Sequence, residues 1–207
     1  MRGARRLWCA GLLVLFAAAV RGEEPNTLSE KEKAEGWMLL FDGKTTKGWR
    51  AYQSQQMTKN WQAIDGKLVR VAGGPGGQGA GGGDDIVTTE EFEDFELSLE
   101  WKLEPGGNSG VLYHVSEEPA TAWHYAPEVQ LLDNAAHPTR DKRQLAGAVY
   151  DLYAPSKDAT KPAGEWNELR IRVEKGRGTH WLNGEKIVEY EIGSEDWKKR
   201  VAESKFR

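Results

Sequence analysis

Cysteine is almost absent from this chain: one residue in 207, Cys9, and it lies in an N-terminal apolar run. Beyond that run a disulfide framework and thiolate chemistry are excluded. Long apolar stretches are also missing. The longest, "CAGLLVLFAAAV", is too short for a comfortable membrane span. It follows the basic "MRGARRLW" and precedes the polar "RGEEP", which is the layout of a secretory signal peptide. Residues 1–22 are therefore read as a leader, and the remainder as an exported, periplasmic or extracellular protein. Positive charge is scarce as well. The whole chain carries a net charge of −4, and without the four Arg of the leader 24 basic side chains face 32 acidic ones, a balance of −8. That deficit argues against a nucleic-acid partner. The four His (114, 124, 137 and 180) form no H-x-H or H-E-x-x-H pattern, so a zinc site has no support. Loop carboxylates and carbonyls could still coordinate Ca2+.

What remains is rich in glycine, tryptophan and short β-patterns. Eight of the 24 Gly fall in "GGPGGQGAGGG" (73–83). No GK[ST] follows, so this is read as a surface loop rather than a phosphate cradle. Residues 23–36 form a polar lead-in in which Ser29 and Glu32 predict a capping box for a short helix. Strand patterns then follow: "WMLLF" (37–41), "WQAID" and "KLVRV" around the Asp65-Gly66 turn, and "FELSLEWKL" (95–103). In the last of these Phe95, Leu97, Leu99, Trp101 and Leu103 alternate with polar residues. "VLYHV", "EVQLL", "GAVYDLY" (147–153), "WNELRIRVE", "THWLN" and "EKIVEYE" continue the series, with Asn183-Gly184 as a second hairpin turn. "SEDWKKRVAESKF" predicts a helix capped by Ser194. Many short strands and one short C-terminal helix predict an all-β sandwich of two antiparallel sheets.

The candidate chemistry centres on "PEVQLLDN". On a regular strand Glu128 and Gln130 share a face and Asp133 falls on the other. A β-bulge near Leu131–Leu132 would bring Asp133 round to join them. The spacing resembles the E-x-D-x-x-E strand of laminarinase-type β-glucanases, with Gln130 and Asp133 in place of the second and third acids. Gln cannot titrate, which weakens a two-carboxylate mechanism. Asn108 and Ser109 in "GGNSG" could bind sugar hydroxyls or simply form a tight connection. Tyr150, in "GAVYDLY", is a further candidate. His180 precedes Trp181, which could stack on a sugar ring.

Six stretches in order, "GWMLLFDGKTTKGW", "WKLEPGGNSGVLY", "PEVQLLDNAAHP", "AGAVYDLYAP", "GEWNELRIRV" and "HWLNGEKIVEYEIGSEDW", resemble the 3-keto-disaccharide hydrolase domain family. The resemblance spans roughly Trp37 to Phe206 and gives a domain over 37–207. It implies a concanavalin A-like jelly roll acting on glycosides oxidised at C3. It also implies further strands after "SKF", so that residues 37–207 would be a C-terminally shortened version of the domain. The implied chemistry needs a base for the C2 proton, with Glu128 or Asp133 as candidates. His180 is the candidate acid or carbonyl polariser, and Lys102, Asn108 and Gln130 would orient the sugar, with Ser109, Tyr150 and Trp181 as further contacts. A non-catalytic carbohydrate-binding module using Trp123, Trp181 and Asn108 is the rival reading. A conventional β-glucanase is a second.

Overall fold

The computed structural model describes residues 25–71, 85–118, 121–124, 126–137, 139 and 141–207. Residues 1–22, read from sequence as a leader, the glycine-rich 73–83 segment and the side chain of Trp123 lie outside the described residues. The chain divides into two compact units, Met1–Glu91 and Phe92–Arg207.

The first unit opens on the short helix α1 (Glu30–Ala34). Ser29 caps it, its side chain accepting from the Glu32 N–H while the Glu32 carboxylate accepts from the Ser29 N–H, so the capping box forms as its sequence predicts. Strand β1 (Trp49–Ala51) pairs antiparallel with β4 (Ile86–Thr88). Strands β2 (Trp61–Ile64) and β3 (Lys67–Arg70) form a hairpin. Its two turn residues, Asp65 and Gly66, both take positive φ, 48° and 73°, which matches the right-handed strand twist. "WMLLF" departs from expectation. It forms no strand, and Met38 and Leu39 are each 43 % exposed. An apolar run supplies a strand only where neighbouring backbone completes its ladder.

The second unit is a two-layer antiparallel sandwich. One layer has the order β10-β9-β8-β5, with β5 Phe95–Trp101, β8 Asn167–Glu174, β9 Arg177–Leu182 and β10 Glu185–Glu191. In β8 burial alternates along the whole strand. Leu169, Ile171 and Val173 face inward, and each is at most 1 % exposed. The other layer pairs β6 (Asn108–Leu112) with β7 (Glu128–Leu132). Residues 147–153 extend it on the far edge of β7. They form bridges and turns rather than the regular strand that "GAVYDLY" suggests, with Val149 bridging both Val129 and Tyr153. The reason is local: Asp151 turns the chain at a positive φ of 60°. The Asn183-Gly184 turn joins β9 to β10, also through two positive-φ residues.

The core lies between these layers and includes Val129, Leu131, Val149, Leu169, Ile171 and Leu182. Helix α2 (Glu195–Glu203), capped by the Ser194 side chain on the Trp197 N–H, closes one side. Trp197 stacks on Tyr153 at 6.0 Å between ring centroids. Among the described residues no helix is long and apolar enough to cross a membrane. Because Ile171 is wholly buried between the layers, Ile171→Ala should destabilise the fold by about 2–5 kcal/mol, read as a lower denaturation midpoint in urea.

Candidate functional site

Strand β7 divides the expected site residues. Its register with β6 runs without a break, Asn108↔Leu132, Ser109↔Leu131, Gly110↔Gln130, Val111↔Val129 and Leu112↔Glu128. The expected bulge is absent. With period-2 alternation intact, Val129 and Leu131 point into the core and Glu128 and Gln130 point away from it. Asn108 and Gly110 lie on that same polar face, across the ladder. The Gln130 side chain donates to the Asn108 amide oxygen at 3.1 Å. Gln130 is only 3 % exposed, so this bond fixes an otherwise costly buried amide.

Gly110 makes the arrangement possible. A Cβ there would collide with the carboxylate of Glu128, so the bare backbone is the floor on which Glu128 rests. A glycine inside a strand often marks such a close approach. The sequence reading assigned "GGNSG" to a turn, and the strand in fact begins at Asn108.

Tyr150 joins this group from the bridged segment. Its N–H donates to the Glu128 carbonyl at 2.9 Å. Burial raises the Tyr150 hydroxyl above the usual phenol range, and the charges of Asp151, Glu128 and Asp141 raise it further. The phenol therefore stays protonated at neutral pH and can donate. Lys205 stands over the Tyr150 ring, its ammonium 4.2 Å from the centroid. Behind them, Arg143 grips Asp141 through two nitrogens, at 2.7 and 3.0 Å, and lies 3.7 Å from Asp151. Pattern reading singled out Asp151 beside Tyr150 but had no signal for Lys205, Asp141 or Arg143, because their meeting depends on how α2 and the 141–153 segment fold back.

The remaining expected residues lie elsewhere. Asp133 follows the end of β7 and accepts from the Gly106 N–H at 2.9 Å and the Ala135 N–H at 3.2 Å. The Gly106 contact is the main reason its carboxyl sits below the ordinary range. Asp133 thus fastens two loops together. It also borders a cavity of about 540 Å3, with Asn134, Asp158, Lys161 and Asn167 among the other walls. Ser109 points to the opposite side of β6 from Asn108. Lys102, 5.1 Å from the Trp166 ring, and Trp181, stacked with Arg170 at 5.2 Å, belong to the outer face of the four-stranded sheet. That face is turned away from Glu128.

His180 is placed in the core. It pairs across the sheet with Ile171 and Val188 and is 0 % exposed. Its Nδ1–H donates to the Gly147 carbonyl at 3.2 Å, which leaves Nε2 to accept from the Tyr113 hydroxyl at 3.5 Å. Tyr113 in turn hydrogen-bonds the Tyr190 hydroxyl. Burial lowers the imidazole pKa to about 4. The expected acid is therefore separated from Glu128 by the backbone of β7 itself. Its surroundings make it a neutral core histidine at pH 7. Among the described residues, no group of three or more His, Cys, Asp or Glu converges as a metal site would require.

Two outcomes follow from this geometry. His180 titrates near 6.5 when unfolded and near 4 when folded, so the unfolded state binds more protons between those values. Acidification from pH 6.5 to 4 should therefore cost up to about 3 kcal/mol, and this loss should shrink in His180→Gln when urea midpoints are compared across pH. Gly110→Ala should displace the Glu128 carboxylate. Any activity should fall while the circular-dichroism spectrum and ligand-free fold persist; unchanged activity would mean that the Glu128 position is not critical.

A sequence profile of the 3-keto-alpha-glucoside-1,2-lyase-like domain matches residues 36–206. The chain is similar to the 3-keto-disaccharide hydrolase of Bacteroides thetaiotaomicron, at 33 % identity over 210 residues, covering 93 % of this chain and 71 % of that protein. It is also similar to a crystal structure from Parabacteroides distasonis provisionally assigned as a glycosyl hydrolase. There the identity is 36 % and the TM-score 0.78, over 89 % of this chain and 85 % of the other. A second such structure from the same organism aligns at 26 % identity and a TM-score of 0.56, over 69 % of this chain and 72 % of the other. With the match running through both units and the β-sandwich shared, the chain belongs to the 3-keto-alpha-glucoside-1,2-lyase-like domain family.

Proposed function

We propose that this protein is a hydrolase that cleaves C3-oxidised glycosides by elimination and hydration, with Glu128 as the base. The observation that carries the reading is the Glu128 carboxylate on one strand face with the Gln130–Asn108 amide pair, beside a phenol held in its protonated form. The name of the Bacteroides relative supports the substrate class.

The chemistry follows from the ketone. A carbonyl at C3 acidifies the hydrogen on C2. Glu128 takes that proton, and the electron pair forms a C2=C3 double bond with an enolate at O3. The enolate collapses back to the ketone while the C1–O bond breaks, leaving a C1=C2 enone. Tyr150 gives its proton to the departing oxygen. Water then adds to C1, its second proton returning to the Tyr150 oxygen, and C2 regains a proton from Glu128. The net change is one water consumed and one glycosidic bond cleaved. Asn108 orients the sugar hydroxyls, and the buried Gln130 holds the Asn108 amide in place from behind.

This reading prefers Glu128 over Asp133. A carboxylate already bound to two backbone N–H groups is a weaker base, and its carboxyl is held low. It also bypasses the conventional glycosidase geometry, which needs two carboxylic acids facing one bond. Gln130 stands where the second acid would be. The leader over residues 1–22 supports export, with the catalytic domain over 37–207.

The test is incubation with 3-keto-lactose and 3-keto-trehalose beside their unoxidised parents, with products read by mass spectrometry. The expected result is 3-keto-glucose from the oxidised sugars alone, and a parallel arm in EDTA decides whether Ca2+ takes part. Glu128→Gln should lower turnover by about 100-fold or more, the usual contribution of a positioned base. Turnover of the unoxidised sugars would overturn the elimination mechanism. Retained sugar binding with no product from any of them would favour a carbohydrate-binding module.

A further inference from the structure

The cavity of about 540 Å3 that Asp133 borders lies at one end of the sandwich. Both layers contribute to it. Trp101 and Leu103 come from the end of β5, Asn167 from the start of β8, and Leu132 and Asp133 from the end of β7. The 158–165 segment supplies the remaining wall, and neither Glu128, Asn108 nor Tyr150 lines it. We propose that this cavity is a second carbohydrate site, which binds a neutral pyranose unit. The inference stands on the cavity itself and does not depend on the choice of Glu128 as base.

The walls are fixed in advance. On one side the Gly164 N–H donates to the Leu103 carbonyl at 2.9 Å, and the Lys161 N–H donates to the Asn167 amide oxygen at 2.8 Å. Asn167 is 2 % exposed, and the same oxygen accepts from the Asn183 amide at 2.8 Å. On the other side Asn134 donates to the Asp158 carboxylate at 3.1 Å and accepts from the Ala146 N–H at 3.0 Å. The 158–165 segment is thereby tied to both layers. A pocket whose loops are already held loses little ordering entropy when a ligand enters. Its volume falls within the range of about 300–1,000 Å3 usual for small-molecule sites.

The chemistry of the walls selects the ligand. Trp101 is 8 % exposed, and its Nε1–H is buried with no hydrogen-bond acceptor among the described residues. A buried indole N–H normally has one. A ligand oxygen seated against Trp101 supplies it. Asp133 and Asp158 call for the opposite partner. Asp133 accepts from the Gly106 and Ala135 N–H groups, and Asp158 from Asn134 and Thr160. Such a carboxylate offers about four acceptor positions, so both can take a hydroxyl donor at the cavity. A hydroxyl donates and accepts at once. A polyhydroxylated ring therefore meets both kinds of group, with its C–H face against Trp101, Leu103 and Pro162.

Charge narrows the class further. Asp133, Asp158 and Glu165 are balanced by a single ammonium among the described walls, that of Lys161. An anionic ligand is repelled by that excess. Nor do the carboxylates converge as cation ligands, since among the described residues no three such groups could hold a metal ion.

The experiment titrates the full chain, isotopically labelled for nuclear magnetic resonance, with glucose and with glucuronate, which carries an added carboxylate. The readout is the Trp101 indole N–H signal, identified by its loss in Trp101→Phe. Glucose should move that signal saturably, and glucuronate should bind at least about tenfold more weakly. Ala163→Trp fills the cavity from its wall and should weaken glucose binding by about tenfold or more, whereas Ala163→Ser should bind as the unsubstituted chain does. No saturable movement with glucose overturns the inference. Movement that survives Ala163→Trp overturns it as well, because the sugar is then bound elsewhere. Equal loss in Ala163→Trp and Ala163→Ser makes the 158–165 segment a structural element only, and the inference fails. Equal affinity for glucuronate overturns the assignment to a neutral sugar.

Discussion

The uninterrupted pairing of β6 with β7 is the constraint on which the rest of the second unit depends. Alternation along β7 sends Val129 and Leu131 into the core and Glu128 and Gln130 out of it. A slip of one residue would bury the carboxylate and expose the valine. Both sides of the strand resist such a slip. Val129 is bridged to Val149 and fully buried, and on the other side Gly110 leaves room for Glu128 and nothing larger than a hydrogen at its own Cα.

From that register the division of labour among polar residues follows. On the other face of β7 Glu128 is half-buried while Gln130 is buried and bonded to Asn108. Groups between the layers, such as His180, Tyr113 and Tyr190, satisfy one another and stay uncharged at neutral pH. A buried histidine that donates to Gly147 and accepts from Tyr113 is part of the packing. It costs stability in acid rather than supplying protons to substrate. Asp133 shows a third fate. It sits one residue past the ladder, and its lone pairs are engaged by backbone N–H groups of two loops.

Membership of the 3-keto-alpha-glucoside-1,2-lyase-like family fits a sandwich in which one strand presents a single carboxylate among amides. Ordinary glycosidases need two acids because they must break a bond at an unactivated carbon. A ketone next to that carbon changes the requirement to one base and a means of holding an enolate. Gln130, buried and bonded to Asn108, is then a support for the neighbouring amide rather than a lost acid.

Much of the fold was legible from pattern alone. The alternation in "FELSLEWKL" and "WNELRIRVE", the Asp65-Gly66 and Asn183-Gly184 turns and the Ser29 and Ser194 caps are local features. Each is set by side-chain period or by backbone preference within a few residues. The pairing of Glu128 with Gln130 on one face was equally local, since a strand of period two allows nothing else. Tertiary structure decided what no local rule could. It left "WMLLF" without a ladder partner, denied β7 its bulge and converted "NSG" from a turn into a strand with a glycine floor. It turned His180 inward and Trp181 outward on adjacent positions of β9. It brought Lys205 to Tyr150 across more than fifty residues of chain, through contacts with Asp151, Asp196 and Leu152. Strand period says which residues share a face, whereas only the packing of layers says which face is buried and what else arrives at it.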